Sequence, residues 1–83
     1  MTYNIKDIYA HYRNLSKQQQ REIIASLQSQ GINIVKIEAY EYPDAPGIKH
    51  LFFYFEEDRK KAVPYFMLDM KVWNAIMQVI MRI

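Results

Sequence analysis

The sequence contains no cysteine and only two glycines. Without cysteine, the chain has no disulfide framework, no thiolate metal site and no thiol nucleophile. Two glycines are too few for the glycine-rich loops that hold phosphate in the common nucleotide-binding motifs. These shortages exclude enzymes that use a cysteine nucleophile, a thiolate metal site or a glycine-rich phosphate loop. We expect the protein to use no cofactor and no metal ion.

Long apolar segments are also missing. The longest unbroken apolar run, Leu51 to Phe55, has five residues, whereas a membrane-spanning helix needs roughly 20. The N-terminal residues Met1 to Asp7 lack the apolar core of a signal peptide. We therefore expect a cytoplasmic protein that does not contact a membrane.

Side chains suited to catalysis are few and scattered. The only two histidines are His11 and His50, which belong to different predicted elements. Asp7 and His11 have the i, i+4 spacing that lets two side chains share a metal ion, but the sequence offers no further ligand beside them. The acidic residues Glu56 to Asp58 are followed directly by a basic run, which is typical of a solvated charged turn. We predict no catalytic residues and no enzyme activity.

The patterning that is present indicates a small α+β domain. With 83 residues and a formal net charge of +2, the chain suffices for one domain, 1–83, and is too short for two. Apolar side chains at positions 5, 8, 9, 12 and 15 follow the spacing of an amphipathic helix, with Asn4 as its N-cap. A second helix begins at Ser16, whose capping box includes Gln19, and ends at Gly31. We predict two N-terminal helices, or one helix broken at residues 14–16.

A β-hairpin is predicted to follow. Residues 34–42 and 48–56 are rich in β-branched and aromatic residues, and Pro46-Gly47 fits the centre of a type II turn within a loop over residues 43–47. If Tyr42 lies opposite Ile48, one face carries only apolar side chains: Val35, Ile37, Ala39, Leu51, Phe53 and Phe55. The other face mixes aromatic and polar side chains: Lys36, Glu38, Tyr40, Tyr42, Ile48, His50, Phe52 and Tyr54. We expect the first face in the core and the second at least partly in water.

The last third of the chain is predicted to form a strand and a helix. Charged residues at 57–60 indicate a turn, and Ala62 to Leu68 indicates a third strand. This strand should lie at a sheet edge, because Pro64 cannot donate a ladder hydrogen bond. Asp69 is a suitable N-cap for a helix over Met70 to Met81. The predicted α+β fold therefore has two N-terminal helices (or one broken helix), a three-stranded antiparallel meander, and a C-terminal helix packed on one sheet face.

The C-terminal helix is apolar around most of its circumference. At 100° per residue its polar side chains fall within a stripe about 80° wide: Lys71, Asn74, Gln78 and Arg82. A surface helix needs an apolar stripe of only about 100° or slightly more, so the surplus must meet the N-terminal helices, a second copy of the chain or another protein. Trp73, Met77 and Ile80 are the predicted anchors, in the core or in an interface. We expect a homodimer, formed through this helix or through the strand edge at residues 63–68.

The outer face of the predicted sheet is the second candidate surface. It brings together Tyr40, Tyr42, Phe52 and Tyr54, with Tyr65 as a further candidate, beside Lys36 and His50. Aromatic side chains near basic ones can stack nucleic-acid bases, and aromatic side chains are also enriched at the centres of protein interfaces. Cross-strand pairing beneath a loop or helix is the purely structural alternative. Because Glu38 and Glu56 share this face and repel phosphate, the pattern favours a protein partner.

Basic side chains indicate the alternative function, RNA or DNA binding, with backbone contacts from Lys17, Arg21, Arg59, Lys60 and Lys61. The order helix, three-stranded meander, helix over Lys17 to Ile83 resembles that of double-stranded-RNA-binding domains. Those domains carry a basic cluster at the start of the last helix, where this sequence reads Asp69-Met70-Lys71-Val72-Trp73. The resemblance thus implies the topology of an RNA-binding domain without its binding residues.

Small size, an α+β plan, no catalytic constellation and an interface-rich surface make the chain similar to many phage-encoded inhibitor proteins, among them some anti-CRISPR proteins. That resemblance implies a protein acting in the host cytoplasm. We therefore predict a non-enzymatic protein-binding module, a small inhibitor or adaptor of the anti-defence type, with nucleic-acid binding as the alternative. A further alternative is a subunit that is stable only within a larger enzyme or secretion assembly.

Overall fold

The computed structural model describes residues 3–83. Met1 and Thr2, which belong to the N-terminal segment considered above for a signal peptide, lie outside the described residues. The elements follow the chain in this order: α1 (Ile5–Arg13), α2 (Lys17–Ser29), β1 (Ile34–Tyr42), β2 (Ala45–Phe55), β3 (Asp58–Pro64), a single 3-10 turn (Tyr65–Met67) and α3 (Met70–Arg82). The strands form one antiparallel sheet in the order β1-β2-β3. The predicted α+β fold is confirmed.

The N-terminal region forms two helices, each with its own N-cap. At the start of α1, Asn4 Oδ1 accepts a hydrogen bond from the backbone N–H of Asp7 at 3.0 Å. At the start of α2, Ser16 Oγ accepts from the N–H of Gln19 at 3.1 Å, and Gln19 Oε1 accepts from the N–H of Ser16 at 2.9 Å. These two bonds complete the predicted capping box. The predicted break at residues 14–16 is also confirmed, because neither helix includes them.

The end of α2 is a left-handed turn at Gly31, whose φ is +83°. The N–H of Gly31 donates to the carbonyl of Gln28 at 3.0 Å, and the N–H of Ile32 donates to that of Leu27 at 3.0 Å. This pair of bonds is a Schellman motif, which satisfies the last carbonyl groups of a helix and redirects the chain. The C-cap itself is Gln30, one residue before the predicted helix end.

The centre of the β1–β2 hairpin has the predicted register. Ile37 lies opposite Phe53, and Ala39 lies opposite Leu51. Ile37, Leu51 and Phe53 are buried, and Ala39 packs against the core they form. The face that the sequence assigned to the core is therefore the inner face of the sheet over these pairs.

A β-bulge changes the register at the start of β1. Ile34 lies opposite Phe55, and the ladder shifts by one residue before Lys36. The extra residue interrupts the alternation of side chains, so Ile34 is fully buried while Val35 is only half-buried and outside the core. The prediction that Val35 lies in the core is wrong for this reason.

The hairpin turn also differs from the prediction. Tyr42 pairs with Ala45 rather than with Ile48, so the connection consists only of residues 43 and 44. A type II turn needs a positive φ at its third residue, and Gly31 is the only residue in the described range that has one. Gly47 therefore lies within β2 and not at the centre of a turn.

The third strand begins and ends earlier than predicted. It runs over Asp58–Pro64 instead of residues 62–68, and the turn before it consists of residues 56 and 57. The charged residues 59–61 are thus exposed within a strand. An edge strand tolerates them, since charge there discourages pairing with other chains. Pro64 closes the strand opposite Phe52, and the chain then enters the 3-10 turn.

All three helices pack on the inner face of the sheet and share one core. Helix α1 contacts β1, β2 and α3, and α2 contacts β1 and α3. The core side chains are Ile8, Tyr9, Tyr12, Ile23, Leu27, Ile34, Ile37, Leu51, Phe53, Ile76, Met77, Val79 and Ile80. The N-terminal helices therefore cover much of the apolar surface of α3, and its predicted polar stripe is exposed.

The two glycines provide a matched test of the turn after α2. A Cβ atom added at Gly31 or at Gly47 meets no heavy atom within 4 Å, so only the backbone conformation distinguishes them. We expect Gly31→Ala to lower the free energy of unfolding by about 1 kcal/mol and Gly47→Ala to change it by less than about 0.5 kcal/mol. Urea denaturation measures both. Equal stability of the two variants would contradict the left-handed turn at Gly31.

Tyr12 provides a test at alkaline pH. It is 4% exposed, its hydroxyl donates to the carbonyl of Ile37 at 3.4 Å, and burial raises its pKa to about 12. The Tyr12 hydroxyl therefore holds its proton more tightly in the folded state than in the unfolded state. The stability that this difference contributes is fully present below pH 10 and is lost as the pH rises toward 12.

Between pH 10 and pH 12, the free energy of unfolding should fall by about 2 kcal/mol less for Tyr12→Phe than for the wild type, because the variant has no hydroxyl at this position to ionise. The exposed Tyr40→Phe variant is the control and should follow the wild type. Urea denaturation at a series of pH values measures the difference, and parallel curves for all three proteins would refute the assignment to Tyr12.

Candidate protein-interaction site

The face of the sheet opposite the helices presents the even-numbered side chains of β2 and, from Lys36 onward, of β1. Tyr40 lies opposite His50 across the two strands, and Glu38 lies opposite Phe52. Because the side chains of a strand alternate between faces, these pairs point away from the core that lies under Ile37. The central pairing that the sequence predicts for this face is confirmed.

A group of rings occupies the end of this face nearest the hairpin turn. Tyr40 and Tyr42 meet edge to face, with ring centroids 5.0 Å apart. His50 stacks on Phe52 at 5.7 Å with an interplanar angle of 16°, and it meets Tyr42 at 5.2 Å and Phe66 at 5.9 Å. We call these five side chains the outer aromatic patch. Each such ring contact contributes about 0.5–1.5 kcal/mol beyond area burial, so the patch is ordered before any partner binds.

Much of the patch remains open to solvent. Tyr40 is 39% exposed, Tyr42 is 38% exposed and Phe66 is 62% exposed. Ile48, which precedes the patch on β2, is 50% exposed. No helix or loop of residues 3–83 covers these side chains, so they are not aromatic pairs buried beneath another element.

His50 lies at the centre of the patch and contacts four rings, those of Tyr42, Phe52, Tyr65 and Phe66. Its Nδ1 atom is buried and has no hydrogen-bond partner among the described residues. Leaving such an atom unpaired costs about 1–3 kcal/mol. The His50 ring is therefore positioned by its stacking on Phe52 and by its edge contacts, and not by a hydrogen bond to Nδ1. The sequence placed His50 beside the aromatic side chains, and the structure places it among them.

Phe66 is the member of the patch that sequence reasoning missed. The predicted strand over residues 62–68 gave it no special role, but the strand ends at Pro64 and the 3-10 turn brings Phe66 against His50. The neighbouring Met67 and Met70 are 69% and 71% exposed. The sequence feature that indicates this early strand end is Pro64, which has no N–H to donate to the strand ladder.

The other end of the face is polar and pairs internally. Tyr54 Oη donates to Glu38 Oε1 at 3.0 Å, and this hydrogen bond raises the pKa of Tyr54. Lys36 Nζ lies 4.0 Å from Glu38 Oε2 and 5.0 Å from the centroid of the Tyr54 ring. Tyr54, predicted as part of the aromatic group, therefore belongs with these two charged side chains, whose formal charges cancel.

The predicted anchors on α3 lie on the inner side of the sheet. Met77 is 3% exposed and Ile80 is fully buried, so the monomer already uses both as core side chains. Trp73 is half-buried and packs against Phe53 at 6.0 Å and Tyr65 at 5.4 Å. Met77 and Ile80 are thus core side chains away from the outer aromatic patch. Trp73 is linked to the patch through Tyr65, whose ring centroid lies 5.8 Å from that of His50 and 5.4 Å from that of Phe66.

The basic side chains of the alternative function lie on two distant elements. Lys17 and Arg21 belong to α2, which packs over β1. Arg59, Lys60 and Lys61 belong to β3, which forms the opposite edge of the sheet, and Arg59 is paired with a glutamate of the adjacent turn. Within the described range, these residues do not form one continuous basic surface.

The described residues form no cavity, and no three of their acidic or histidine side chains are grouped to hold a metal ion. His11, which the sequence pairs with Asp7, has its Nε2 atom 3.1 Å from the carbonyl oxygen of Ile83. None of the helices within residues 3–83 combines the length and the apolar character that crossing a bilayer requires.

Comparisons with the models of known protein families, with curated proteins and with solved structures find no match. The geometry and chemistry of the outer face therefore carry the functional argument.

Two methionines test the division between core and surface. Met77 is 3% exposed and Met67 is 69% exposed, so the same substitution probes both environments. We expect Met77→Ala to lower the free energy of unfolding by about 2–5 kcal/mol and Met67→Ala to change it by less than about 0.5 kcal/mol. Urea denaturation measures both values. A costly Met67→Ala substitution would mean that the region around the 3-10 turn is packed and not open.

Proposed function

We propose that this protein is a non-enzymatic protein-binding module whose contact surface is the outer aromatic patch. One observation carries the proposal: Tyr40, Tyr42 and Phe66 are 39%, 38% and 62% exposed, yet they belong to one ordered cluster of rings. The largest contiguous apolar patch on a monomeric protein is often its functional site.

The shape and chemistry of the patch fit a protein partner better than a small molecule. Small-molecule sites are concave pockets, and the described residues form none. Protein interfaces have centres enriched in aromatic side chains and depleted of charge, which describes the patch and its surroundings. The ring contacts hold the side chains in place, so binding costs less conformational entropy than it does for free side chains.

The sheet edges are less suitable as contact surfaces. A partner strand that pairs with an edge needs free backbone groups there. On β1, the carbonyl of Ile34 already accepts from Gln28 Nε2 at 3.0 Å, and that of Ile37 accepts from the hydroxyl of Tyr12 at 3.4 Å. On β3, three consecutive basic residues and Pro64 oppose strand addition. The face of the sheet is therefore the better site.

The finer proposal is that the module serves as a small inhibitor or adaptor of the phage-encoded, anti-defence type, in the cytoplasm of a host cell. An inhibitor or adaptor of this kind acts by occluding or bridging surfaces and needs no reaction chemistry. The support is the combination of a small fold, an ordered aromatic surface and the architectural resemblance described above.

The test compares substitutions on the two sides of the molecule. In cells that produce the tagged protein, the wild type and Asn74→Ala/Gln78→Ala on the exposed stripe of α3 should capture the same partner. Tyr40→Ala/Phe66→Ala should recover at least tenfold less of it, because truncating an aromatic anchor costs about 2 kcal/mol or more. Calorimetry with the purified partner then measures the affinities.

Two results would contradict this proposal. The first is equal partner affinity for Tyr40→Ala/Phe66→Ala and the wild type, with both proteins folded. The second is capture of nucleic acid that weakens steeply with salt and disappears in Lys60→Glu/Lys61→Glu, which would favour the alternative function.

A further inference from the structure

We infer that the outer aromatic patch is occupied by a second copy of this chain, in a two-fold dimer that stacks the two sheets face to face. The inference rests on the proposed function, because it names the partner of the same surface. Three features of the structure lead to it: the exposed apolar area of the outer face, the charge of that face, and the lower suitability of the other surfaces for contact with a second copy.

The exposed area is close to what a specific dimer needs. At about 200 Å² for a large side chain, the exposed fractions of Tyr40, Tyr42, Ile48 and Phe66 amount to about 380 Å². The half-buried His50, Phe52 and Tyr54 extend this to about 500 Å². Two copies would bury about 1,000 Å² together, which is the lower limit for a specific protein interface.

The charge of the outer face allows it to dock on itself. A two-fold interface places the same surface on both subunits, so a charged face would repel its own copy. Here the formal charges of Lys36 and Glu38 cancel, and the outer aromatic patch contains no Asp, Glu, Lys or Arg. The exposed basic residues of β3, Arg59 to Lys61, lie toward the other end of the sheet. At the patch itself, a second aromatic face is therefore the complementary surface.

The other surfaces that could hold a second copy are less suitable. Most of the apolar side of α3 packs against α1, α2 and Phe53 of the sheet, and α3 leaves exposed its polar stripe and Met70 in its first turn. Side chains of α1 and α2 bind two carbonyl groups of β1, those of Ile34 and Ile37, and β3 carries exposed charge. Stacking of two sheets, at a separation of about 10 Å, uses the surface that holds all three exposed aromatic side chains of residues 3–83.

An interface at the lower size limit forms a reversible dimer. In sedimentation velocity or light scattering from 5 to 500 µM, we expect the mass of the wild type to rise from 10.0 kDa toward twice that value. Tyr40→Lys and Phe66→Lys place a charge in the outer aromatic patch and should remain monomeric throughout. Asn74→Lys adds the same charge on the exposed stripe of α3 and should dimerise like the wild type. Circular dichroism establishes that each variant is folded.

The absence of cysteine allows a direct test of the dimer geometry. A nitroxide label at Lys36→Cys lies on the outer face beyond the patch, and one at Gln78→Cys lies on the far side of the helical layer. In face-to-face stacking, the distance between the two Lys36→Cys labels should be below about 25 Å. The two Gln78→Cys labels should lie more than about 30 Å apart, because two helical layers separate them. Electron–electron double resonance measures both distances.

The outcomes separate this inference from the proposed function. A wild-type mass of 10.0 kDa at every concentration would overturn the dimer, and the capture experiment would then decide alone whether the patch binds another protein. Undiminished dimerisation of Tyr40→Lys and Phe66→Lys, or a short distance between the Gln78→Cys labels, would also overturn it. If the patch variants affect neither self-association nor partner capture, both proposals fail together.

Discussion

The whole architecture depends on the alternation of side chains in the central hairpin. One continuous apolar face is formed by the pairs Ile37–Phe53 and Ala39–Leu51. This face must be buried against other elements of the fold. A shift of one residue would exchange the two faces and expose the core. The bulge at the start of β1 adjusts the register so that Ile34 joins this face. The positions of the helices follow from this one requirement.

The three helices together bury the inner face of the sheet. Helix α3 has more apolar surface than the sheet can bury, and α1 and α2 pack against it and complete a single core. With all three helices on the inner side, the 3-10 turn is the one further element of residues 3–83 that reaches the outer face, where Phe66 contacts His50. The sheet is therefore covered on one side, as antiparallel sheets often are. The unusual feature is that its other side carries aromatic rings at one end.

The elements that the sequence predicted correctly are those with local signals. Ser16, Gly31 and Asp69 mark helix ends through caps that depend only on nearby backbone groups. The features that it did not predict depend on tertiary context. The bulge beside Val35 is a one-residue adjustment to packing, and the charged residues 59–61 resemble a turn although an edge strand accommodates them. The contact of Phe66 with His50 joins distant segments, so periodicity could not reveal it.

The rings on the outer face have no necessary role in the core, because the inner face and the helices enclose it without them. A solvated sheet face is stable with polar or β-branched side chains. The polar group formed by Lys36, Glu38 and Tyr54 confines the apolar area to the turn end of the hairpin. In the inferred dimer, the two-fold axis would then pass near His50. The paired charges would lie toward the rim, giving the apolar centre and polar margin that protein interfaces share.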